Sequence, residues 1–196
     1  MRIRIFVDFW NFQLSVNERT NPDFRLDWKK LSPFLVAKAE SLVEQSLIFE
    51  ETRVYMSFDS HKASDRKLHN WATNVLDRFP GVAVNMRDRK PKSPPFCQSC
   101  HTQIADCPNC GHKLVGTIEK GVDTAIVTDL ISLAWEGAWD VAVLLSSDRD
   151  FIPAADLLAV KGYRVINAHF PPTGMDLARK CWANIDLRKH LSELKQ

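Results

Sequence analysis

The chain has 196 residues, 45% hydrophobic and 26% charged, with a formal net charge of +2. These values exclude a disordered or collagen-like chain and fit one compact domain with room for a small extra module. The charge is too small to imply nucleic acid by itself, and the apolar run Val141 to Leu145 falls far short of the ~18 residues of a bilayer span, so no membrane contact is expected.

The N-terminal MRIRIFVDFW alternates Arg with Ile and reaches Asp8 without a cleavage-like stretch of small residues; it reads as a strand over Arg2 to Val7, not a signal peptide. Trp28 to Val43 places Leu31, Phe34, Leu35, Ala39 and Leu42 at helical spacing, and the β-branched and aromatic TRVYMSF, Thr52 to Phe58, predicts a second strand. Asp65 to Phe79 is helical in pattern and is closed by Pro80-Gly81, after which GVAVNMRDR predicts a third strand. The Pro-rich KPKSPP and a cysteine cluster then break the pattern up to about Val115.

Beyond the break, Val122 to Trp135 predicts a helix, Val141 to Leu145 a strand apolar at every position, and Phe151 to Val160 a helix with Pro153 in its first turn. GYRVINA predicts a fifth strand, and Met175 to Trp182 a short helix before a final ANIDL. No internal repeat is evident. Alternating strands and helices, with a fully apolar central strand, indicate an α/β fold whose mainly parallel sheet is covered on both faces. Residues 1–93 and 116–196 would form this domain, and 94–115 an insertion.

Cys97, Cys100, Cys107 and Cys110 have the form C-x2-C-x6-C-x2-C. Two residues between thiolates let a tight turn aim both sulfurs at one tetrahedral ion, and Gly111 tolerates a left-handed backbone after the second pair. So short a segment cannot bury its own core, so a structural Zn would supply its folding energy, and a fully thiolate-ligated ion leaves no open position for catalysis. His101 and His112 stand close enough in sequence to substitute as ligands. The alternative is two disulfides or buried thiols; the clustered spacing favours metal and a reducing, cytoplasmic compartment. Cys181 stands alone beside Trp182 and reads as packed.

Asp8 ends the first strand, Asp123 opens a helix, and Asp148 follows the fourth strand. In an open parallel sheet the strands' carboxyl ends line a crevice where strand order reverses, and an order 3-2-1-4-5 brings Asp8 and Asp148 together there. Two carboxylates about 4 Å apart repel by roughly 4 kcal/mol at an effective dielectric of about 20, so such a cluster calls for a cation or protons. Hard oxygen donors favour Mg²⁺ or Mn²⁺, an ion suited to phosphodiester hydrolysis. Taken singly, each acid is equally well a helix cap: Asp148 or Asp150 for the helix after Phe151, Asp123 for its own helix dipole. Asp129, six residues past Asp123, lies about 120° away round the helix and outside the cluster.

FVDFWN with Asp8 and Asn11, EKGVDTAIVTDLISLA, and LLSSDRDFIPAADLLAVKGYRVIN occur in the order of the signature blocks of the NYN domain family, the LabA-like branch of PIN-like nucleases, and the chain resembles that family over nearly its whole length. The resemblance implies a PIN-like Rossmannoid three-layer sandwich and a metal-dependent ribonuclease. Carried onto this sequence, it makes Asp8, Asp123 and Asp148 the acidic ligands, Asn11 the polar support of the first acid, and Asp150 the second acid of the last motif. The cysteine-rich insert is a departure from a minimal domain of this kind.

Arg87, Arg89, Lys90 and Lys92 precede the insert, and Lys113 and Lys120 follow it; these cations could hold RNA phosphates, Lys120 being the best placed, while Phe96 or His101 could stack on a base. The expectation is an Mg- or Mn-dependent endoribonuclease, and the family resemblance implies that it leaves 5′-phosphates. The alternative is a catalytically idle RNA-binding or protein-interaction module with a zinc ribbon. A D-x-D phosphatase or topoisomerase-like site fits poorly, and no Gly-rich nucleotide-binding motif is present.

Overall fold

The computed structural model describes residues 1–196. The first half runs β1 (Arg2–Asp8), α1 (Phe9–Arg19), α2 (Trp28–Val43), β2 (Ile48–Phe58), α3 (Ala63–Asn74) and β3 (Val82–Asp88). A short ribbon, β4 (Lys90–Lys92) and β5 (Gly116–Ile118), carries the cysteine segment. The second half runs α4 (Val122–Trp135), β6 (Val141–Leu145), α5 (Ile152–Val160), β7 (Arg164–His169), α6 (Met175–Ala178) and β8 (Ala183–Asp186).

Six strands form one sheet in the order β3-β2-β1-β6-β7-β8, each neighbouring pair parallel. Side chains alternate across it. Ile3, Ile5 and Val7 of β1 join Val141, Val143 and Leu145 of β6 in a core shared with Phe9, Phe12, Leu31 and Leu35, while Phe6, Ala142 and Leu144 face Ile126, Leu130, Phe151 and Leu158 on the other side. Both faces of β6 are therefore covered, which is why it is apolar throughout. The result is a three-layer α/β/α domain. No helix is long and apolar enough to cross a membrane.

α2, α4 and β6 have the ranges that the apolar spacing predicts. The helix expected over Asp65 to Phe79 instead stops at Asn74, because Val75 (φ −123°, ψ −60°) leaves helical geometry before a 3₁₀ turn over Leu76–Arg78. α1 is an addition. Its buried Phe9, Phe12 and Val16 stand at i, i+3 and i+7, but it leaves β1 with no intervening turn residue, so the helical spacing is short and no punctuation announces it.

The cysteine segment does contain a repeat, of ten residues. In the first copy Cys97 N–H donates to Thr102 O (2.9 Å), His101 N–H to Cys97 O (2.8 Å) and Ile104 N–H to Pro95 O (2.7 Å). In the second, Cys107 N–H donates to His112 O (2.8 Å), Gly111 N–H to Cys107 O (2.8 Å) and Leu114 N–H to Ala105 O (2.7 Å). The residue after each second cysteine takes the left-handed backbone, Gly111 at φ 68° and His101 at φ 57°. The repeat lies in backbone geometry; apart from the cysteine spacing the two decapeptides share little sequence, which hides it from inspection.

Candidate active site

The sheet reverses direction of growth between β1 and β6, and the chain leaves both strands at the same edge. Asp8, the last residue of β1, is also the N-cap of α1. Its Oδ1 accepts from Asn11 N–H (3.3 Å) and its Oδ2 from Ser146 Oγ–H (2.9 Å), and the residue is only 5% exposed. Burial pushes this carboxyl up to about 7, against the two hydrogen bonds that favour its charge, and Asp123 and Glu119 push it further.

Asn11 holds the other side of the crevice: its Oδ1 accepts from Ser147 N–H (2.8 Å), tying the start of α1 to the loop after β6. Ser146 N-terminal to that loop works twice, since its hydroxyl also accepts from Asp148 N–H (3.1 Å). Asn167 Nδ2 then secures Ser146 O (2.9 Å) and Leu144 O (3.1 Å) from β7. Gly174 packs against the same loop at φ 82°, where a Cβ would lie 3.0 Å from the Ser147 backbone.

Asp148 caps the 3₁₀ turn Arg149–Phe151, accepting from Asp150 N–H (2.9 Å) on Oδ1. The capping role considered for either aspartate thus falls to Asp148, while Asp150 stands inside the turn with an exposed side chain. Asp123 lies in the first turn of α4. Its carboxyl is raised, first by partial burial and then by Asp148, Glu119 and Asp150, so acids from two loops share one field at the crevice. Asp129 lies apart: Arg53 (2.8 Å) and Tyr55 (2.7 Å) both donate to its Oδ2 on the sheet face.

Glu119 is the residue that motif reading passed over. It stands at the head of EKGVDTAIVTDLISLA, where a lone Glu four residues before an Asp carries no pattern of its own. Ser57 Oγ–H donates to its carboxylate, and an Arg89 guanidinium nitrogen lies 3.9 Å from it. Arg89 is thereby engaged inside the protein, whereas Arg87, Lys90, Lys92 and Lys120 are exposed. Arg87 passes beside Gly121, its side chain 3.9 Å from where a Cβ would stand, which brings its charge to the approach to Asp123.

A family model of the NYN domain matches residues 2–188. The chain belongs to the NYN domain family. Membership implies a nuclease-like function. A crystal structure of a protein of unknown function from Vibrio parahaemolyticus RIMD 2210633 superposes with a TM-score of 0.55 at 18% identity, covering 95% of this chain and 92% of that one, and it supports the fold alone. No curated protein sequence matches this NYN chain.

No group of three or more His, Cys, Asp or Glu side chains is gathered at ion-holding distance, in the crevice or in the cysteine segment. The donor chemistry nevertheless fits ions in both. In the crevice, hard oxygens of mutually repelling acids suit a divalent cation. In the segment, the Cys100 thiol is pulled down to about 7 by its hydrogen bonding with Thr102 and that of Cys107 is lowered by the Cys110 and Asn109 backbone, which favours the thiolate a zinc ion takes.

Proposed function

We propose that this NYN protein is a Mg²⁺- or Mn²⁺-dependent endoribonuclease of the LabA-like kind, acting on single-stranded RNA in a reducing, cytoplasmic setting. The observation that carries the reading is Asp8: a carboxyl buried at the switch point, held on both oxygens, and raised to about 7 by burial and neighbouring acids. Such a group is costly to charge unless a cation sits beside it.

Asp8, Asp123 and Asp148 would hold the ion, with Asp150 at the exposed rim. When bound, a divalent cation lowers the pKa of water and stabilises charge on a phosphate oxygen. Asn11 and Ser146 keep the two sides of the crevice in register, so that Asp8 and Asp148 present to one point. Arg87 and Lys120 supply positive charge for the phosphates that flank the cut, and Lys90 extends that charge onto the ribbon.

A groove of about 730 Å³ runs beside α1, walled by Phe9, Trp10, Trp28 and Trp71, with Gln13 and Asn17 at its edge. Aromatic walls and amide edges suit the splayed bases of a single strand. The cysteine segment is a zinc ribbon whose two hairpin turns each offer a pair of thiolates to one structural ion, and residues 94–115 form a small insertion within the NYN domain.

Incubating the purified protein with short single-stranded RNAs and Mn²⁺ or Mg²⁺ tests the proposal. Cleavage that requires the ion and leaves 5′-phosphates supports it; a folded protein that cuts none of a broad RNA panel with either ion refutes it.

A further inference from the structure

We propose that Glu119 is a fourth working carboxylate of the acidic crevice, held in place by a clasp at the base of the cysteine arm. The inference rests on the metal-dependent reading above and adds a residue and a control point to it.

The clasp joins four chain segments. Arg89 is the last residue before β4, and Glu119 the first after β5, so the two stems of the arm meet here. Between them stands Ser57, near the end of β2 and only 1% exposed. Its hydroxyl receives Arg89 Nε–H (2.9 Å) and donates its own proton to Glu119 Oε2. A hydroxyl has one proton, so the direction of the chain is set: Arg89 to Ser57 to Glu119. The fourth segment is α1, whose Trp10 donates its indole N–H to Ser57 O (2.7 Å) and carries the Arg89 guanidinium 5.2 Å above its ring.

Two further bonds fix the stems to the same strand end. Arg89 N–H donates to Phe58 O (2.8 Å), and Thr117 Oγ–H on β5 donates to the buried Asp59 carboxylate (3.2 Å). The base of the arm is therefore rigid although its tip has no buried residue.

Ser57 lies two residues past Tyr55, which pairs with Asp8 across β1 and β2, and Glu119 stands four residues before Asp123, so the clasp holds Glu119 at the sheet edge where both acids lie; a counter-charge for Arg89 alone would not need to stand there. The loose 3.9 Å ion pair and a carboxylate with Oε1 free of protein donors leave Glu119 able to join those acids around a cation. Ser57 and Arg89 are then positioning residues. The arm that carries the cysteines ends on the crevice, so whatever shifts its stems shifts Glu119.

The test is Mn²⁺ titration of the full chain by calorimetry, run beside RNA cleavage resolved into kcat and KM. Glu119→Gln is close to isosteric and should fold with parental melting behaviour. It should lower Mn²⁺ affinity and kcat by about tenfold or more, with KM for RNA little changed, and Glu119→Asp should recover part of both. Arg89→Met and Ser57→Ala should move the same two quantities in the same direction, by about tenfold. Parental Mn²⁺ affinity and kcat in a folded Glu119→Gln protein overturn this inference alone. A parent chain that neither takes up Mn²⁺ nor cuts RNA overturns it together with the metal-dependent reading.

Discussion

The acidic crevice and the cysteine arm put polar side chains in opposite settings. At the crevice, Asp8 is 5% exposed and Asp148 follows the fully buried β6, so the sheet itself sets their separation. In the arm, none of residues 89–121 is buried, and each turn is held by backbone hydrogen bonds around a cysteine pair. One region can keep its geometry without a ligand because its order comes from packing. The other has nothing to pack, so the structural ion proposed for it would have to supply that order.

The largest expected effect breaks the arm and leaves the crevice standing. Structural zinc in small modules contributes roughly 10–16 kcal/mol to folding, so Cys97→Ser, or a strong chelator, should unfold the arm tip. Limited proteolysis should then cut between residues 93 and 116, with zinc lost by elemental analysis, while the six-stranded domain keeps its melting transition. Simultaneous melting of the domain would show that the two regions are not independent.

Asp148→Asn does the reverse. Asparagine caps a helical turn about as well as aspartate, so the fold should persist, but cleavage should fall by about a thousandfold. Retained cleavage would remove Asp148 from the site.

pH separates the regions at the next level down. A carboxyl raised to about 7 binds its proton more tightly in the folded chain, so without divalent ions folding loses stability as pH rises from about 4 through 7. Asp8→Asn should remove that slope and stabilise the protein at pH 8 by about 2–4 kcal/mol, read from urea melts at several pH values. In the parent chain, Mn²⁺ affinity should climb over the same window as the proton leaves. A pH-independent stability difference would place the burial of Asp8 in doubt.

The smallest effect is on the arm's charge. Lys90→Ala and Lys92→Ala should each reduce the salt dependence of RNA binding by about 0.7 in slope, without altering cleavage of bound RNA.

Much of the domain was legible in the chain because burial leaves a periodic trace. Trp28–Val43 and Val122–Trp135 show it for helices, and Val141–Leu145 shows it for a strand covered on both faces. The three blocks around Asp8, Asp123 and Asp148 pointed to one crevice because strand ends are where a parallel sheet presents side chains. α1 escaped notice because half its residues are polar and no glycine or proline separates it from β1. The capping roles were open until the backbone was known, since Asp148 and Asp150 are both chemically able to cap.

Residue order, then, carried the local pattern: the alternation, the paired cysteines and the acids after apolar strands. Only the tertiary structure could bring Ser57, Arg89 and Glu119 together from positions as much as 62 residues apart, because a clasp of single residues leaves no period in the sequence. The same holds for the ten-residue repeat in the arm, which is written in backbone hydrogen bonds and left-handed turns that very different side chains can adopt.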